Sequence, residues 1–254
     1  MRFFKRVAGR VIRALPEAKY TAPATFLNGF RRVYHIHIRK TAGTSINRIF
    51  MAASGGDENL IYDKVASSLV HTTTVNRYKY TGYCPRSINR GNYFYAYSHL
   101  PYWKLELPKN TFRFTCFRDP ILRVLSHYKM LEDLRYSGKF HPCMAVEGKW
   151  LGRNIHDFID NIPKCHLLNQ LYMFSPEFNV SEASEAIHGL DQILYTESLL
   201  GDISRMSTNL GLELGYMHYR KTEDRTFDSS VINRLRDMLD SEYELLDFLA
   251  VNSA

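Results

Sequence analysis

A short stretch of small residues, RKTAGTS at positions 39–45, constrains this chain more than any other feature of its sequence. An apolar run at 33–38 precedes it. Apolar residues then recur at helical spacing: Ile46, Ile49 and Phe50. A strand, a small-residue loop with a lysine and a helix form a typical phosphate-binding arrangement, because the loop amides and the helix N-terminus point at the anion. Gly43 lets backbone approach a ligand closely, and Thr44 and Ser45 can cap the helix or bond phosphate oxygens.

The order of residues separates this loop from a Walker A motif, which needs a glycine five residues before a Gly-Lys-Ser/Thr triplet. Here the triplet is Gly43-Thr44-Ser45, and Lys40 comes three residues before the glycine. The missing glycine and the lack of a carboxylate cluster beside the loop disfavour a P-loop nucleotide kinase or NTPase. That class stays an alternative, as does a non-catalytic nucleotide-binding protein. On its own, the loop can also be read as a capped turn without a ligand.

A second strand-to-helix junction follows later in the chain. The segment TFRFTCF at 111–117 has the apolar character of a buried strand, and RDPILRVLSHY continues from it. Asp119 can cap the next helix, and Pro120 suits its first turn. Arg118 lies at the carboxyl end of the predicted strand, and Ser126 lies two helical turns further on.

Together, the two junctions resemble the nucleotide motifs of the carbohydrate sulfotransferases that use 3′-phosphoadenosine 5′-phosphosulfate (PAPS), in particular the heparan 2-O-sulfotransferase-like and bacterial branch. KTAGTS is similar to the 5′-phosphosulfate loop of that family, and the later segment matches its 3′-phosphate pattern, Arg-Asp-Pro-x-x-Arg-x-x-Ser-x-Tyr. The resemblance implies that Arg118 and Ser126 bind the 3′-phosphate of PAPS and that PAP is the product. It also implies a set of residues around the 5′-phosphosulfate: Arg39, Lys40, Thr41, Ala42, Gly43, Thr44 and Ser45.

A third segment strengthens the resemblance. The aromatic, strand-like run NYFYAY at 92–97 leads into SHLPY at 98–102, where the family often carries Gly-His-x-Pro-Tyr. The resemblance implies that His99 is the catalytic base and that Lys40 stabilises charge on the bridging oxygen of the leaving group. Two positions depart from the family pattern, because a serine replaces the usual glycine before His99 and Arg39 replaces a common proline.

The remaining histidines of the motifs are expected to be structural. His35 and His37 lie within the first predicted strand and should pack there. His127 follows Ser126 directly, and neighbouring residues point in different directions from a helix, so its side chain should face elsewhere.

A late basic turn, HYRKT at 218–222, carries Arg220 and Lys221. Sulfotransferases commonly bring such a loop onto the 3′-phosphate or the adenine, so the resemblance implies that role, and a solvated basic turn is the alternative. The family uses no metal. Sulfuryl transfer needs less charge neutralisation than phosphoryl transfer, because the moving group carries one negative charge, and no metal is expected here.

The length of 254 residues suits one α/β domain with insertions. The motifs predict a three-layer, P-loop-like sulfotransferase fold with a mainly parallel central sheet over residues 31–254, preceded by a basic N-terminal arm at 1–30. Further core elements are expected: a strand at 191–195 and amphipathic helices at 199–212 and 231–249. The polar insertion at 54–91, with loops expected at 54–56 and 72–74, is the natural place for acceptor contacts.

Positive charge is concentrated at the N-terminal end. The chain carries a net charge of +7, yet its first 50 residues hold eleven Lys or Arg and one acid, so the rest is slightly acidic. This local charge argues against a broad nucleic-acid surface. Apolar residues at helical spacing predict that residues 1–20 contact an anionic membrane surface. The segment is too short and too charged to span a bilayer, it lacks the pattern of a signal peptide, and a solubilising tail or a packed helix is the alternative.

The cysteines show no metal-ligand spacing: Cys84, Cys116, Cys143 and Cys165. Cys116 is expected in the core. Nothing in this pattern demands an oxidising compartment, so a cytoplasmic location, where PAPS is made, is expected, with peripheral contact at the inner face of the membrane if the arm binds there. The resemblance implies that the acceptor is a hydroxyl group, and a hydroxyl of a glycan is the first choice. A lipid-linked glycan and a small alcohol or phenol are the alternatives.

Overall fold

The computed structural model describes residues 26–68, 71–138, 140–215 and 226–251. A six-stranded sheet forms its centre, in the order β2-β3-β4-β1-β5-β6. The strands are β1 (Arg32–Ile36), β2 (Thr72–Val75), β3 (Tyr78–Gly82), β4 (Tyr95–Ser98), β5 (Thr111–Phe117) and β6 (Gln192–Tyr195). Every neighbouring pair is parallel except the β2–β3 hairpin, so the predicted mainly parallel sheet is confirmed.

Helices cover both faces of the sheet. Those of the described residues are α1 (Gly43–Ala52), α2 (Glu58–Ser67), α3 (Pro85–Arg90), α4 (Pro120–Ser137), α5 (Ile155–Asn161), α6 (Lys164–Leu167), α7 (Asn169–Tyr172), α8 (Val180–His188), α9 (Leu199–Leu210), α10 (Ser229–Met238) and α11 (Asp240–Val251). Helices α1, α2 and α9 share one apolar cluster with the sheet, and α3, α7, α8 and α11 share another. The predicted three-layer architecture is confirmed. A further apolar cluster joins α4, α5 and α10.

The central strand β1 alternates between these two apolar layers. Val33 packs in the cluster of α1, whereas Tyr34 and Ile36 pack in the cluster of α8. Strands of a parallel sheet that is covered on both faces need apolar residues on both sides. Because β1 lies between the parallel strands β4 and β5, the carboxyl ends of three neighbouring strands open at one edge, which is where ligands bind in such sheets.

Helix α1 packs on the sheet through the apolar residues that recur at helical spacing in the sequence. Ile46, Ile49 and Phe50 are all buried, and the ring of Phe50 stacks on Tyr95 with centroids 4.3 Å apart. This packing holds the helix against β4 and β1. The N-terminus of α1 therefore has a fixed position at the carboxyl edge of the sheet.

Two predictions about these elements are wrong. The segment at 231–249 is not one helix, because Leu239, between α10 and α11, has φ −108° and ψ 10°, outside helical values. Residues 72–74 are not a loop either. These threonines form most of β2, where their β-branched side chains suit the pleated backbone that pairs with β3.

The N-terminal arm lies mostly outside the described residues. Within its last five residues, Phe26 stacks on Phe94 at 5.4 Å and Phe30 meets Phe112 edge-on at 5.1 Å, so this end of the arm packs on the domain. The domain boundary at residue 30 stays a prediction. In the part of the chain that the structure describes, no helix combines the length and the apolar character that a membrane crossing would require.

Candidate active site

The three segments singled out in the sequence converge on one pocket of about 710 Å³. The loop after β1, the residue after β4 and the residue after β5 lie at the ends of adjacent strands. The predicted site residues that line the pocket are Arg39, Lys40, Ala42, Gly43, Thr44, Ser45, His99, Arg118 and Ser126. The fold thus brings together residues that are up to 87 positions apart in the chain.

The loop between β1 and α1 has an unusual backbone for non-glycine residues. Lys40 has φ 68° and Ala42 has φ 61°, both in the left-handed region. Thr41 between them is buried, and its hydroxyl donates to the carbonyl of Ile38 at 3.0 Å. The side chain of Thr41 therefore stabilises the loop from inside and does not line the pocket.

The N-terminus of α1 lines the pocket and offers it backbone donors. The first helical hydrogen bond runs from the amide of Ile46 to the carbonyl of Ala42 at 3.1 Å. The amides of Gly43, Thr44 and Ser45 precede it, and such first-turn amides have no partner within their own helix. Five other helices of the described residues have these donors capped by a side chain: Asp57, Asp119, Asn154, Asn179 and Asp228. Helices α3, α6, α7 and α9 have no such cap, like α1. At α1 the capping position is an alanine, which leaves the donors and the positive end of the helix dipole for an anion.

Arg118 and Ser126 face the same pocket from β5 and α4. The guanidinium of Arg118 donates to the carbonyl of Lys40 at 3.2 Å, so the two strand ends are in direct contact. Asp119 caps α4 by accepting from the amide of Leu122 at 2.8 Å, as predicted. Ser126 lies one turn beyond this cap region and lines the pocket with 7% of its surface exposed.

A buried relay that the sequence did not indicate holds this junction in place. The amide of Arg118 donates to the side chain of Gln170 at 2.9 Å. The amide and side chain of Gln170 both donate to Glu242 on α11, at 2.6 Å and 3.2 Å. Arg123 on α4 pairs with the same carboxylate at 3.4 Å, and both side chains are fully buried. Arg123, the second arginine of the pattern Arg-Asp-Pro-x-x-Arg, therefore stabilises the fold and does not line the pocket.

One hydrogen bond holds His99 and also fixes its proton. The Nδ1 atom lies 2.7 Å from the carbonyl oxygen of His37. A carbonyl oxygen only accepts, so Nδ1 carries the hydrogen and Nε2 keeps its lone pair in the neutral ring. Burial, followed by the positive charge of Arg39, lowers the pKa of His99 to about 3. The form that can accept a proton therefore predominates at pH 7.

A column of imidazole rings runs from His99 into the core. The ring of His37 lies 4.2 Å from that of His99 and 5.0 Å from that of His35. At the inner end, His35 Nδ1 is 2.9 Å from the side-chain oxygen of Asn47, which also accepts from the hydroxyl of Tyr95 at 2.7 Å. His35 and His37 are packed in the core, as predicted, and His37 also reaches the pocket wall.

Arg39 is held at both ends. Its amide donates to the side chain of Asn169 at 3.1 Å, and its guanidinium pairs with Glu147 at 2.9 Å. The other oxygen of Glu147 lies 2.8 Å from Nε2 of His127. His127 lines the same pocket as Ser126, so the expectation that its side chain faces elsewhere is wrong. No spacing in the sequence links Glu147 to the motifs.

Two tyrosines of the insertion at 54–91 line the pocket next to His99. The ring of Tyr83 lies 5.9 Å from that of His99. Tyr62 also lines the pocket, and the guanidinium of Arg48 lies 5.2 Å over its ring. The two tyrosine rings come from α2 and the end of β3, and the guanidinium comes from α1. This part of the pocket therefore differs in chemistry from the loop after β1.

Arg220 and Lys221 lie outside the described residues. Among the residues that are described, no group of three or more His, Cys, Asp or Glu side chains is arranged to hold a metal ion. Cys116 is buried in the core, as predicted.

Comparison with known proteins agrees with this geometry. Residues 23–154, just over half of the chain, match the model of a family described as the sulfotransferase family. The matched region contains the loop after β1, His99, and the junction with Arg118 and Ser126. The search of curated proteins finds no match.

Proposed function

This chain belongs to the sulfotransferase family, and we propose that it is an enzyme that moves a sulfuryl group from PAPS to a hydroxyl of a glycan. The observation that carries the proposal is the convergence of two separate anion-binding elements and one neutral histidine on a single pocket. PAPS differs from ATP in its 3′-phosphate and its sulfate, so it needs two anion sites that lie apart.

The residues present fit such a nucleotide. The amides of residues 43–45 and the Thr44 and Ser45 hydroxyls supply donors for the 5′-phosphate, next to the charge of Lys40. Arg118 and Ser126 supply a guanidinium and a hydroxyl for the 3′-phosphate. Arg220 and Lys221 stay candidates for further contacts, and Arg39 is the remaining loop residue that lines the pocket.

In the proposed reaction, the acceptor oxygen attacks the sulfur in line with the bond to the 5′-phosphate. The new O–S bond forms as the old S–O bond breaks, and the bridging oxygen leaves with PAP. His99 takes the hydroxyl proton on Nε2, because Nδ1 already donates to the carbonyl of His37. Lys40 stabilises the negative charge on the leaving oxygen. The moving group carries one negative charge, and the proposal therefore includes no metal.

The wall beside His99 supports a sugar as acceptor. Tyr62 and Tyr83 present aromatic rings in the pocket, and such rings combine an apolar face with a polar hydroxyl, as sugars do. A phenol or a small alcohol is the alternative. An acceptor screen with radiolabelled sulfate on PAPS tests this directly. If sulfate were transferred to phenols and not to glycans, the acceptor would be a phenol and the glycan part of the proposal would be wrong.

Two further parts of the proposal concern location. We place the enzyme in the cytoplasm, where PAPS is made, with residues 1–20 contacting anionic lipid headgroups. Six basic residues and one acid in this segment support the contact. Sedimentation of the full chain and of a chain without residues 1–20 with anionic liposomes tests it, and equal binding by both chains would contradict it.

The rival classes differ in the nucleotide that they bind. A P-loop kinase or NTPase should prefer ADP with magnesium, and a non-catalytic nucleotide-binding protein should bind without turnover. Calorimetry with PAP and with ADP, each with and without magnesium, separates the kinase from the sulfotransferase. The radiolabel assay separates the enzyme from a silent binding protein.

A further inference from the structure

Glu147 joins the loop after β1 to helix α4. It opens the short helix Glu147–Trp150 and has only 4% of its surface exposed. One carboxylate oxygen pairs with the guanidinium of Arg39 at 2.9 Å, and the other lies 2.8 Å from Nε2 of His127. A buried carboxylate is costly unless its oxygens are paired, and here both have partners.

The charge states of this group follow from its contacts. Burial opposes the charged form of Glu147, but the hydrogen bond from His127 and the charge of Arg39 outweigh it, so the pKa of Glu147 is lowered. Burial lowers the pKa of His127, which is therefore neutral and donates through Nε2. Its Nδ1 is then a bare nitrogen, which agrees with the absence of a hydrogen-bond partner for that atom among the described residues. Glu147 is thus an anion whose positive partner is Arg39.

We propose that Glu147 is a positioning residue that holds the guanidinium of Arg39 in the pocket beside His99, where the arginine acts on the base and on the sulfuryl group. The part about the sulfuryl group rests on the proposed function, whereas the part about His99 does not. Arginine has a long side chain with several rotamers, and fixing it in advance lowers the cost of using it in a bound complex. The amide of Arg39, bonded to Asn169, fixes the other end.

The ion pair between Arg39 and Glu147 supplies charges that act on the pKa of His99. Ionisable groups surround His99 on several elements: His35 in β1, His37 directly after β1, Tyr83 at the end of β3, Arg39 in the loop and Glu147 in its short helix. Around Glu147 itself lie Arg39, His127, His166 and Cys143. The tyrosine and the buried histidines are neutral at pH 7, so among these groups Arg39 and Glu147 are the charged ones.

The first test measures the pKa of His99 in the full chain without ligand, by NMR titration of its ring, assigned with His99→Gln. Glu147→Gln still accepts a hydrogen bond from His127 but no longer pairs with Arg39. If Arg39 is released, the pKa of His99 rises by about one unit, although the loss of the Glu147 charge offsets part of the rise. Arg39→Met keeps that negative charge and should give a larger rise. A lower pKa in Glu147→Gln would show that Arg39 stays in place without Glu147, and the proposal would be wrong.

The second test uses turnover. We expect Glu147→Gln and Arg39→Met each to lower kcat about ten-fold, and the double variant to be no worse than Arg39→Met alone, because both remove the same interaction. Additive losses would overturn the proposal. Asp157→Asn is the matched control, since it breaks an exposed Arg–carboxylate pair at 3.1 Å and should change neither kcat nor the pKa of His99.

If Glu147→Gln does not fold, Glu147→Asp keeps the charge but shortens the reach, and a smaller rise in the pKa of His99 is expected. If the wild type transfers no sulfate from PAPS, the proposed function fails while the NMR test still decides the role of Glu147.

Discussion

The imidazole of His37 fills the space that a side chain on Gly43 would need. A Cβ on Gly43 would overlap Nε2 and the neighbouring ring carbons of His37. The backbone carbonyl of the same His37 accepts the hydrogen bond that orients His99. Glycine at this position therefore lets the loop after β1 and the candidate base share one support.

Replacing Gly43→Ala should damage both functions of that support. The added methyl group displaces His37, so we expect a loss of about 1–3 kcal/mol in unfolding free energy, together with weaker PAP binding. Chemical denaturation and calorimetry measure the two effects. Gly201→Ala in α9 is the matched control, since no atom lies within 4 Å of its Cβ position, and it should be neutral or stabilise the fold by up to about 1 kcal/mol. Equal stability of both variants would contradict the steric account.

Arg118 should give the site its preference for a 3′-phosphate. We expect PAP to bind at least about ten-fold more tightly than AMP, which corresponds to roughly 1.4 kcal/mol. Arg118→Ala should erase this difference, because a charged contact to phosphate is lost. Calorimetry with both ligands checks it. Arg153→Ala, at an exposed arginine on the surface, should keep the preference. Equal affinity of the wild type for PAP and AMP would remove the sulfotransferase interpretation of the pocket.

His99 should matter to the chemical step more than to nucleotide binding. We expect His99→Ala to lower turnover by roughly 10²–10⁴-fold with little change in PAP affinity. Lys40→Ala should lower both, since its charge meets the bound nucleotide as well as the transition state. Steady-state kinetics and calorimetry separate the two outcomes. If a folded His99→Ala variant kept normal transfer, Asp63 would be the next candidate base, because it lines the pocket, whereas the exposed Glu106 does not.

The column of histidines should make stability depend on pH. Burial lowers the pKa of His35 to about 4, that of His99 to about 3, and that of His37 well below 6.5. Between pH 6.5 and 5, the unfolded chain therefore binds more protons than the folded protein, so the free energy of unfolding falls as the pH falls. Calorimetric unfolding across this window should show it. His99→Gln should give a shallower dependence, and His156→Gln, at an exposed position, should not. Equal slopes in all three proteins would contradict the argument.

Much of the site could be predicted from the sequence because its parts are local. The strand, the loop and the first turn of α1 are contiguous, and their order reflects how a parallel sheet places loops at one edge. The cap at Asp119 and the packed histidines follow from equally local patterns. What the sequence did not reveal are contacts between distant residues, such as those of Glu147 with Arg39 and His127. The break at Leu239 was also missed, since no glycine or proline marks it.

The relay that ends at Glu242 also orders events during biosynthesis. Arg123 and Glu242 are 119 positions apart, so a ribosome releases the loop after β1, His99 and the junction at Arg118 well before α11. Until α11 emerges, a fully buried guanidinium and the amides of Gln170 lack their carboxylate, and leaving such groups unpaired is strongly unfavourable. The nascent chain therefore cannot complete this pocket before α11 emerges. If PAPS binds as proposed, its capture would report that the last helix has docked.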